Sequence, residues 1–443
     1  LLFVAYTIVT YRIWNVDHEY ELKASDIPVP SKEDVIPVLQ ARLSNQPVNG
    51  RKKTLVVVCA SGGGIQAAGW TAKVLTGLQQ QLNGEFTQAI GLISAVSGGS
   101  VGTLHFLDQI NINTGYPDPG NLDNIFKAAT KESLSAAGWG LTYPDFWGLI
   151  GLPFLKTTPG NRAAAIDTDW KANLKHKNVT LREWVDPIRK GQLPIPVFNA
   201  TLVEDGRRYL VSPMSFKFDP QYRGGVDFNT LFPDGNIDAS TAALLSATFP
   251  YVSPIMRNTQ LQVNDPVFHV ADGGFFDNYG VVTATEWLGK QVLPHNTQLG
   301  IERVFVVMIN AFHEDAPNNQ GSSEPKGWLM AFVGPILAVL NARNSTQMQR
   351  NMEEIEELKN IWTAQGIDIQ PFNITFPKSV FFMRHFPEIS INAVKQFIAE
   401  HREVYKPPLS WMLSKKQKKA IEDGWNTLLN DPNSEVNDLI NRW

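Results

Sequence analysis

Two short stretches of the chain consist almost entirely of apolar residues, and each is followed by glycine and then by a helix-like pattern. The first reads TLVVVCA at 54–60, and the second reads AIGLISAV at 89–96. Continuous apolar runs of this length are typical of strands that are buried on both faces. A helix after each buried strand indicates a parallel sheet. The chain is therefore predicted to be an α/β protein with a mainly parallel central sheet flanked by helices on both faces.

The same pattern continues towards the C-terminus. PVFNATLVE and RRYLVSP are predicted to form a strand pair that turns at Asp205-Gly206, a dipeptide typical of hairpins. Buried strands are also predicted in FHVADGG, ERVFVVMIN and DIQPFNITF, and helices at about 280–291, 327–360 and 413–430. Residues 54–443 are therefore interpreted as one domain.

The sequence before this domain divides into two segments. Residues 1–16 begin with LLFVAYTIVTYRIW, which has one charge in fourteen residues. Because a membrane-spanning helix needs about 20 apolar residues, this segment is either the end of a longer transmembrane helix or an apolar helix packed on the domain. Residues 17–53 are polar and rich in proline, and they are predicted to be a linker with one short helix.

Residues 114–175 interrupt the alternation of strands and helices. The stretch AAGWGLTYPDFWGLIGLPFLKTTPG is rich in Trp, Phe, Gly and Pro, and only Asp145 and Lys156 are charged. An aromatic, glycine-broken insert suits a lid or a surface that faces lipid. A helical layer buried against the sheet explains the same composition, so both interpretations stay open.

The overall composition excludes several functional classes. The 39 basic and 43 acidic residues nearly cancel, so no positive field is available to attract nucleic acid. The single cysteine, Cys59, excludes an internal disulfide framework and fits a reducing, cytoplasmic compartment. Since Cys59 lies inside an apolar strand, it is predicted to be a packing residue. No cluster of His, Cys and Glu suits a metal, and no cofactor is predicted.

The second apolar strand runs directly into Ser97, in the sequence SAVSGGS. A serine hydroxyl is a weak nucleophile until a base removes its proton. A tight strand-to-helix turn exposes such a hydroxyl, and it requires small residues two positions before and two positions after the serine. Ala95 and Gly99 occupy those positions, which Ser94 and Ser100 do not share. Ser97 is therefore predicted to be a nucleophile.

A glycine-rich loop, SGGG at 61–64, follows the first strand. Backbone N–H groups at the start of a helix can stabilise negative charge on a substrate oxygen, so Gly62, Gly63 and Gly64 are predicted to form an oxyanion hole. The spacing of Gly62, Gly64 and Ala67 also fits a dinucleotide-binding loop. That alternative is disfavoured because the second strand ends without the acidic residue that would bind a ribose.

The sequence VADGGFFDNYG places Asp272 at the end of a buried strand, where glycines allow close backbone approach. A carboxylate in such a position can accept a proton from serine directly, so Asp272 is predicted to be the base. An Asp-Gly-Gly turn without a catalytic role is the alternative for Asp272. Asp277 is interpreted as a helix cap. Of the eight histidines, His313 is the one that could complete a Ser-Asp-His triad.

Four segments, SGGGIQAAG, SAVSGGS, ALLSATFPYVSP at 243–254 and VADGGFFDNYG, together resemble the patatin-like phospholipases, which share their catalytic arrangement with cytosolic phospholipase A2. The resemblance covers about 54–312. It implies a patatin-like fold related to the α/β-hydrolases. It also implies a Ser97–Asp272 dyad without histidine and an oxyanion hole at Gly62, Gly63 and Gly64.

The sequence departs from the family pattern at three positions. Gln66 stands where the family commonly has a basic residue, and Ala67 and Ala95 replace glycines. The resemblance implies a lipid acyl hydrolase, with a lipid or phospholipid substrate, a membrane surface as partner and an acyl-serine intermediate. A Ser-Asp-His esterase using His313 and a weakly active, membrane-associated scaffold of the same fold are the alternatives, and Gln66 is the main argument for the scaffold.

Overall fold

The computed structural model describes most of the chain: residues 5–6, 8–9, 17–44, 46, 52–150, 152, 160–218, 224–248, 252–263, 265–312, 329–377, 381–382, 403–404 and 410–443. Most of the apolar segment 1–16 therefore lies outside the described residues, and so does His313. Among the helices of the described part, none combines the length and the apolar content that crossing a membrane requires.

The strands in the described part of the chain are short, and the longest have eight residues. They are β1 (Glu19–Tyr20), β2 (Lys23–Ala24), β3 (Thr54–Ala60), β4 (Ile90–Val96), β5 (Ile110–Asn111), β6 (Tyr116–Pro117), β7 (Ile195–Leu202), β8 (Arg208–Val211), β9 (Val226–Asp227), β10 (Gly235–Asn236), β11 (Met256–Asn258), β12 (His269–Asp272), β13 (Arg303–Asn310), β14 (Asp368–Thr375), β15 (Phe381–Phe382) and β16 (Glu403–Val404).

One sheet forms the centre of the molecule, with strand order β1-β11-β12-β7-β4-β3-β13-β14, and β8 pairs with β7 and with β9 at one side. The five strands from β7 to β14 in this order are parallel. Strand β12 is antiparallel to β7, and β8 pairs with β7 as the predicted hairpin. Every residue of β3, β4 and β13 is buried, so both faces of these strands are covered.

Helices supply that cover, and several are only one or two turns long. They are α1 (Val35–Ser44), α2 (Gly64–Gln81), α3 (Glu85–Ala89), α4 (Gly98–Asp108), α5 (Leu122–Ala129), α6 (Leu134–Gly140), α7 (Phe146–Leu149), α8 (Arg162–Ala172), α9 (Val185–Arg189), α10 (Phe228–Leu231), α11 (Ala239–Ser246), α12 (Val281–Trp287), α13 (Asn296–Leu299), α14 (Leu329–Thr363), α15 (Lys415–Asn430) and α16 (Glu435–Arg442). The predicted α/β class with a mainly parallel sheet flanked by helices is confirmed.

Residues 17–44 of the predicted linker contain a short helix, α1, as expected, but they also pack against the central sheet. Strand β1 pairs in parallel with β11 at the edge of the sheet, and helix α1 buries one face against the core. Val35, Val38 and Leu39 form that face at helical spacing. The prolines and charges around them concealed the pattern, because they dominate the average composition of the segment.

The insert at 114–175 contains helices α5 to α8 and combines features of both interpretations. Ala137, Ile166 and Trp170 are buried, as in a helical layer packed on the domain. Leu141 and Leu149 are exposed, as on a surface that faces a partner. Residues 153–159 of the insert lie outside the described residues.

Candidate active site

Ser97 occupies a sharp turn between strand β4 and helix α4. Its backbone angles are φ 50° and ψ −122°, a combination that residues with a Cβ rarely adopt. Helix α4 begins at the next residue, Gly98, and Ser97 is only 5 % exposed. A non-glycine residue held in such a conformation is strained, and strain of this kind concentrates at functional sites. The hydroxyl groups of Ser94 and Ser100 instead donate hydrogen bonds to buried neighbours.

The glycines after Ser97 are required by backbone-to-backbone contact. A Cβ atom on Gly98 would lie 1.9 Å from the carbonyl oxygen of Gly64, and one on Gly99 would lie 2.5 Å from that of Ala60. The turn at Ser97 is therefore pressed against the glycine-rich loop that follows β3. This contact explains the small residues around the serine more directly than flexibility does.

Replacing Gly98 by alanine is expected to destabilise the protein by about 2 kcal/mol or more, because the atom that blocks the new methyl group belongs to the backbone. Thermal or urea-induced unfolding measures this effect. Gly138→Ala in helix α6 is a matched control, since a Cβ at that position meets nothing within 4 Å. The control is expected to be neutral or slightly stabilising. Equal unfolding midpoints for the Gly98→Ala variant and the wild type would contradict the close contact.

The glycine-rich loop lies directly against Ser97. A Cβ atom on Gly62 would lie 3.1 Å from the Cβ of Ser97. The N–H of Gly62 donates to the carbonyl oxygen of Asn278 at 2.8 Å, so this amide is already engaged. Gly63 and Gly64 have φ angles of 139° and 57°, which favour glycine, and they lie at the start of helix α2. The first N–H groups of a helix have no partner within it, so these two amides are suited to bind an oxyanion.

Asp272 and Ser97 lie at the same level of the sheet along one edge of strand β7, because β8 pairs with the opposite edge of the same stretch. Asp272 pairs with Ala200 of β7, and Val96, the residue before Ser97, pairs with Asn199. A Cβ atom on Gly273, the residue after Asp272, would lie 3.1 Å from the Cγ1 of Val96, so the two turns are in direct contact and no strand separates them. Asp272 is 5 % exposed, and its Oδ1 accepts a hydrogen bond from the N–H of Gly274 at 2.8 Å.

The side chain of Asn278 lies between the glycine-rich loop and the turn after Asp272. Its Oδ1 would be 2.2 Å from a Cβ on Gly62 and 2.8 Å from a Cβ on Gly274. The same hypothetical Cβ on Gly274 would lie 3.0 Å from the Oδ1 of Asp272. Ser97, the loop, Asn278 and Asp272 therefore form one contiguous cluster. Asn278 is not among the residues predicted from the sequence to form the site.

Helix α14 holds the turn that follows Asp272. The Oε1 of Gln347 accepts from the N–H of Asn278 at 2.9 Å, and its Nε2 donates to the carbonyl oxygen of Phe276 at 2.9 Å. One turn further along, Asn351 donates to the Oδ1 of Asp277 at 3.0 Å. The Oδ2 of Asp277 also accepts from the N–H of Val282 in helix α12 at 3.0 Å, which agrees with its predicted role as a cap.

Three histidines are candidate partners for Ser97. His105 lies on helix α4 and is buried, and burial lowers its pKa to about 4 although the charge of Asp108 opposes this shift. His105 is therefore neutral at pH 7. His269 lies on strand β12 and its Nδ1 is 2.8 Å from the Oε1 of Glu204. His313 lies outside the described residues, so its predicted part in a triad stays a prediction.

Asn199, a polar residue in the apolar strand β7, was not among the predicted site residues. The Nδ2 of Asn199 donates to the hydroxyl of Ser94 at 3.0 Å and to the carbonyl oxygen of Ala95 at 2.9 Å. The Oδ1 of Asn199 accepts from the hydroxyl of Thr283 in helix α12 at 2.6 Å. This buried network joins the strand before Ser97 to the helix after Asp272. A polar residue in an otherwise apolar strand is the sequence signal that could have revealed it.

Gln66 and Cys59 are both buried near the site. Gln66 is 0 % exposed in helix α2, where burying a neutral amide costs less free energy than burying a cation. Cys59 is a free thiol in β3, and burial raises its pKa, as does the charge of Asp277 to a smaller extent. The thiol is therefore protonated at neutral pH, and Cys59 is a packing residue.

No family model and no curated protein matches the sequence. Several solved structures match the fold at a distance. Human GIVD cytosolic phospholipase A2 has 12 % identity and a TM-score of 0.35 over 62 % of this chain and 48 % of that chain. A complex of the same human protein with methyl gamma-linolenyl fluorophosphonate has 13 % identity and a TM-score of 0.33, over 62 % of this chain and 43 % of that chain.

The protein VipD from Legionella pneumophila also matches, with 10 % identity and a TM-score of 0.31, over 93 % of this chain and 70 % of that chain. The matched region is less than half of the human phospholipase chain. These values indicate a distant relationship of fold. The function of this chain is therefore inferred from its own residues.

Proposed function

We propose that the chain is a lipid acyl hydrolase with Ser97 as nucleophile and Asp272 as base. The observation that carries the proposal is the strained serine at the β4–α4 turn, with φ 50° and ψ −122°, pressed against a glycine-rich loop. Strain of this kind is retained where function requires it. The position of Asp272 at the same level of the sheet supplies a nearby proton acceptor.

The reaction transfers an acyl group from an ester to water. Asp272 accepts the proton of Ser97 while the Oγ of the serine attacks the ester carbonyl carbon. The amides of Gly63 and Gly64 bind the resulting oxyanion, whereas Gly62, whose amide is bonded to Asn278, positions the loop. The tetrahedral intermediate collapses to an acyl-serine, and the alcohol leaves with the proton from Asp272. Water then attacks the acyl-serine while Asp272 accepts its proton; the Ser97–acyl bond breaks, the fatty acid is released, and the proton passes from Asp272 to the Oγ of Ser97.

Labelling with a fluorophosphonate tests the nucleophile. The wild-type chain should form a covalent adduct, and peptide mass spectrometry should locate this adduct at Ser97. Absence of labelling, or an adduct on another residue, would remove the basis of the proposal and favour the scaffold alternative. A histidine-dependent triad predicts that His313→Ala also abolishes labelling, whereas the dyad predicts labelling near the wild-type rate.

The exposed side of the insert supports a membrane surface as the partner. Leu141, Tyr143, Phe146 and Leu149 are exposed, and Leu149 is 62 % exposed. The buried side of the same helices carries small residues or proline: Ala137, Gly140, Pro144 and Gly148. The only charge in 134–150 is that of Asp145, whose carboxylate pairs with Arg162 and His18. Large apolar side chains therefore face outward without competing charge, as at a lipid interface.

The double variant Leu141→Ser/Phe146→Ser is expected to bind phosphatidylcholine vesicles at least about tenfold more weakly, because burial of each large side chain contributes about 1.5–3 kcal/mol. Vesicle sedimentation measures the binding, and hydrolysis of a monomeric soluble ester should stay unchanged. Val263→Ser is the control, since Val263 is 90 % exposed outside the insert. Unchanged vesicle binding together with loss of a dimer in ultracentrifugation would assign the surface to a second copy of the chain.

A further inference from the structure

The hydroxyl of Ser246, at the end of helix α11, lies at the centre of a buried hydrogen-bond cluster behind Ser97. It accepts from the backbone N–H of Ser97 at 3.0 Å and from the hydroxyl of Ser100 at 2.8 Å. It donates to the backbone carbonyl oxygen of Asn199 in strand β7. Ser246 is 0 % exposed, so water does not replace these partners. One hydroxyl group thus uses its donor and both of its acceptor positions.

This cluster ties the strained turn to β7, the strand that pairs both with β4, which ends before Ser97, and with β12, which ends at Asp272. Ser97 and Ser100 of the turn both donate hydrogen bonds to the Oγ of Ser246. The same hydroxyl donates to the backbone of β7. Asn199 of β7 stands next to Ala200, the register partner of Asp272. The position of the Ser97 backbone relative to the Asp272 strand is therefore fixed through Ser246.

We propose that Ser246 is a positioning residue for the Ser97 nucleophile, a role that rests on the proposed function. Ser246 does not reach a substrate, because it is fully buried behind the turn. It stabilises the backbone conformation that aims the hydroxyl of Ser97 at the carbonyl carbon. Displacement of a reacting group by about 1 Å can lower a rate about 100-fold. Loss of the Ser246 hydroxyl should therefore slow the reaction of Ser97 more than it weakens lipid binding.

Ser240 provides a matched control on the same helix. It is also buried, and its hydroxyl forms no hydrogen bond among the residues that the structure describes. Ser240→Ala removes the same atoms from helix α11 without removing a bond to the turn. A general effect of a serine-to-alanine change in this helix would affect both variants equally. An effect specific to positioning affects Ser246→Ala alone.

The test measures the rate of fluorophosphonate labelling at Ser97, and kcat and KM for an ester, in the full chain. Ser246→Ala is expected to lower the labelling rate and kcat about 10- to 100-fold with little change in KM. Ser240→Ala should match the wild type, and Ser246→Thr, which keeps a hydroxyl, should recover most of the rate. Circular dichroism and the unfolding midpoint show whether each variant is folded.

Should Ser246→Ala fail to fold, Ser246→Cys decides the question, because a thiol has nearly the same shape but is a weak acceptor. A folded Ser246→Ala or Ser246→Cys variant that is labelled at the wild-type rate would overturn the positioning role. An equal loss in Ser240→Ala would do the same. If wild-type Ser97 is not labelled at all, the proposed function fails first, so the two failures are distinct.

Discussion

Replacing Ser97 by alanine is expected to abolish lipid hydrolysis, with a loss of about 10⁴-fold or more in kcat. The change removes one oxygen atom, the one proposed to form the acyl intermediate, and neither neighbouring serine is placed to supply it. Ser94 and Ser100 are the nearest serines in the sequence, but their hydroxyls are buried and bonded to Gly280 and Ser246. Release of fatty acid from a panel of phospholipids, lysophospholipids and neutral lipids measures the loss.

Alanine at position 97 keeps the strained φ angle of the turn, but it removes a buried hydroxyl group. The free energy of unfolding should therefore stay unchanged or rise slightly. Ser253→Ala is a suitable control for the loss of a buried serine, since Ser253 is fully buried and its hydroxyl donates to the carbonyl oxygen of Ala247. Wild-type turnover in a folded Ser97→Ala variant would exclude Ser97 as the nucleophile. Activity would then have to come from another residue, such as Asp272 acting on water directly.

The buried strands could be predicted from the sequence because their physical requirement is local. A strand covered on both faces needs apolar side chains on both, and β3, β4 and β13 meet that requirement residue by residue. The order of the strands depends on contacts between distant segments. Apolar runs do not indicate that β12 is antiparallel to β7, and it is this pairing that brings Asp272 level with Ala200.

In the candidate site, too, features set by neighbouring residues could be predicted, and features set by contacts between distant segments could not. Glycine at 98 and 99 could be anticipated, because a tight turn at Ser97 demands small neighbours. The hydrogen bond of the Gly62 amide could not be anticipated, because its acceptor is the carbonyl oxygen of Asn278, more than two hundred residues later in the chain. Asn199 and Ser246 could not be predicted as parts of the site for a related reason. Each lies in an apolar segment, and the partners that make their burial favourable are in other elements.

Asp272→Asn is expected to lower kcat about 10²- to 10⁴-fold, the range that general acid–base catalysis contributes. The substitution keeps the shape of the side chain, and its remaining carbonyl oxygen can still accept the hydrogen bond from the N–H of Gly274. The turn after β12 therefore keeps its anchor, while the carboxylate proposed to accept the Ser97 proton is replaced by an amide that cannot accept it. Fluorophosphonate labelling of Ser97 should slow as well, because the same base activates the serine in that reaction.

Asp277→Asn is the matched control for Asp272→Asn, since it removes a second buried carboxylate from the same turn. Asp277 accepts from the N–H groups of Tyr279 and Val282, so the control should lower stability but keep most of kcat per folded molecule. His313→Ala, measured beside them, separates the dyad from a triad. Loss of turnover in His313→Ala equal to that in Asp272→Asn would show that an imidazole carries the proton and that Asp272 orients it. If His313→Ala keeps its turnover while Asp272→Asn loses it, the His313 imidazole does not carry the proton. The carboxylate of Asp272 is then the direct acceptor of the Ser97 proton.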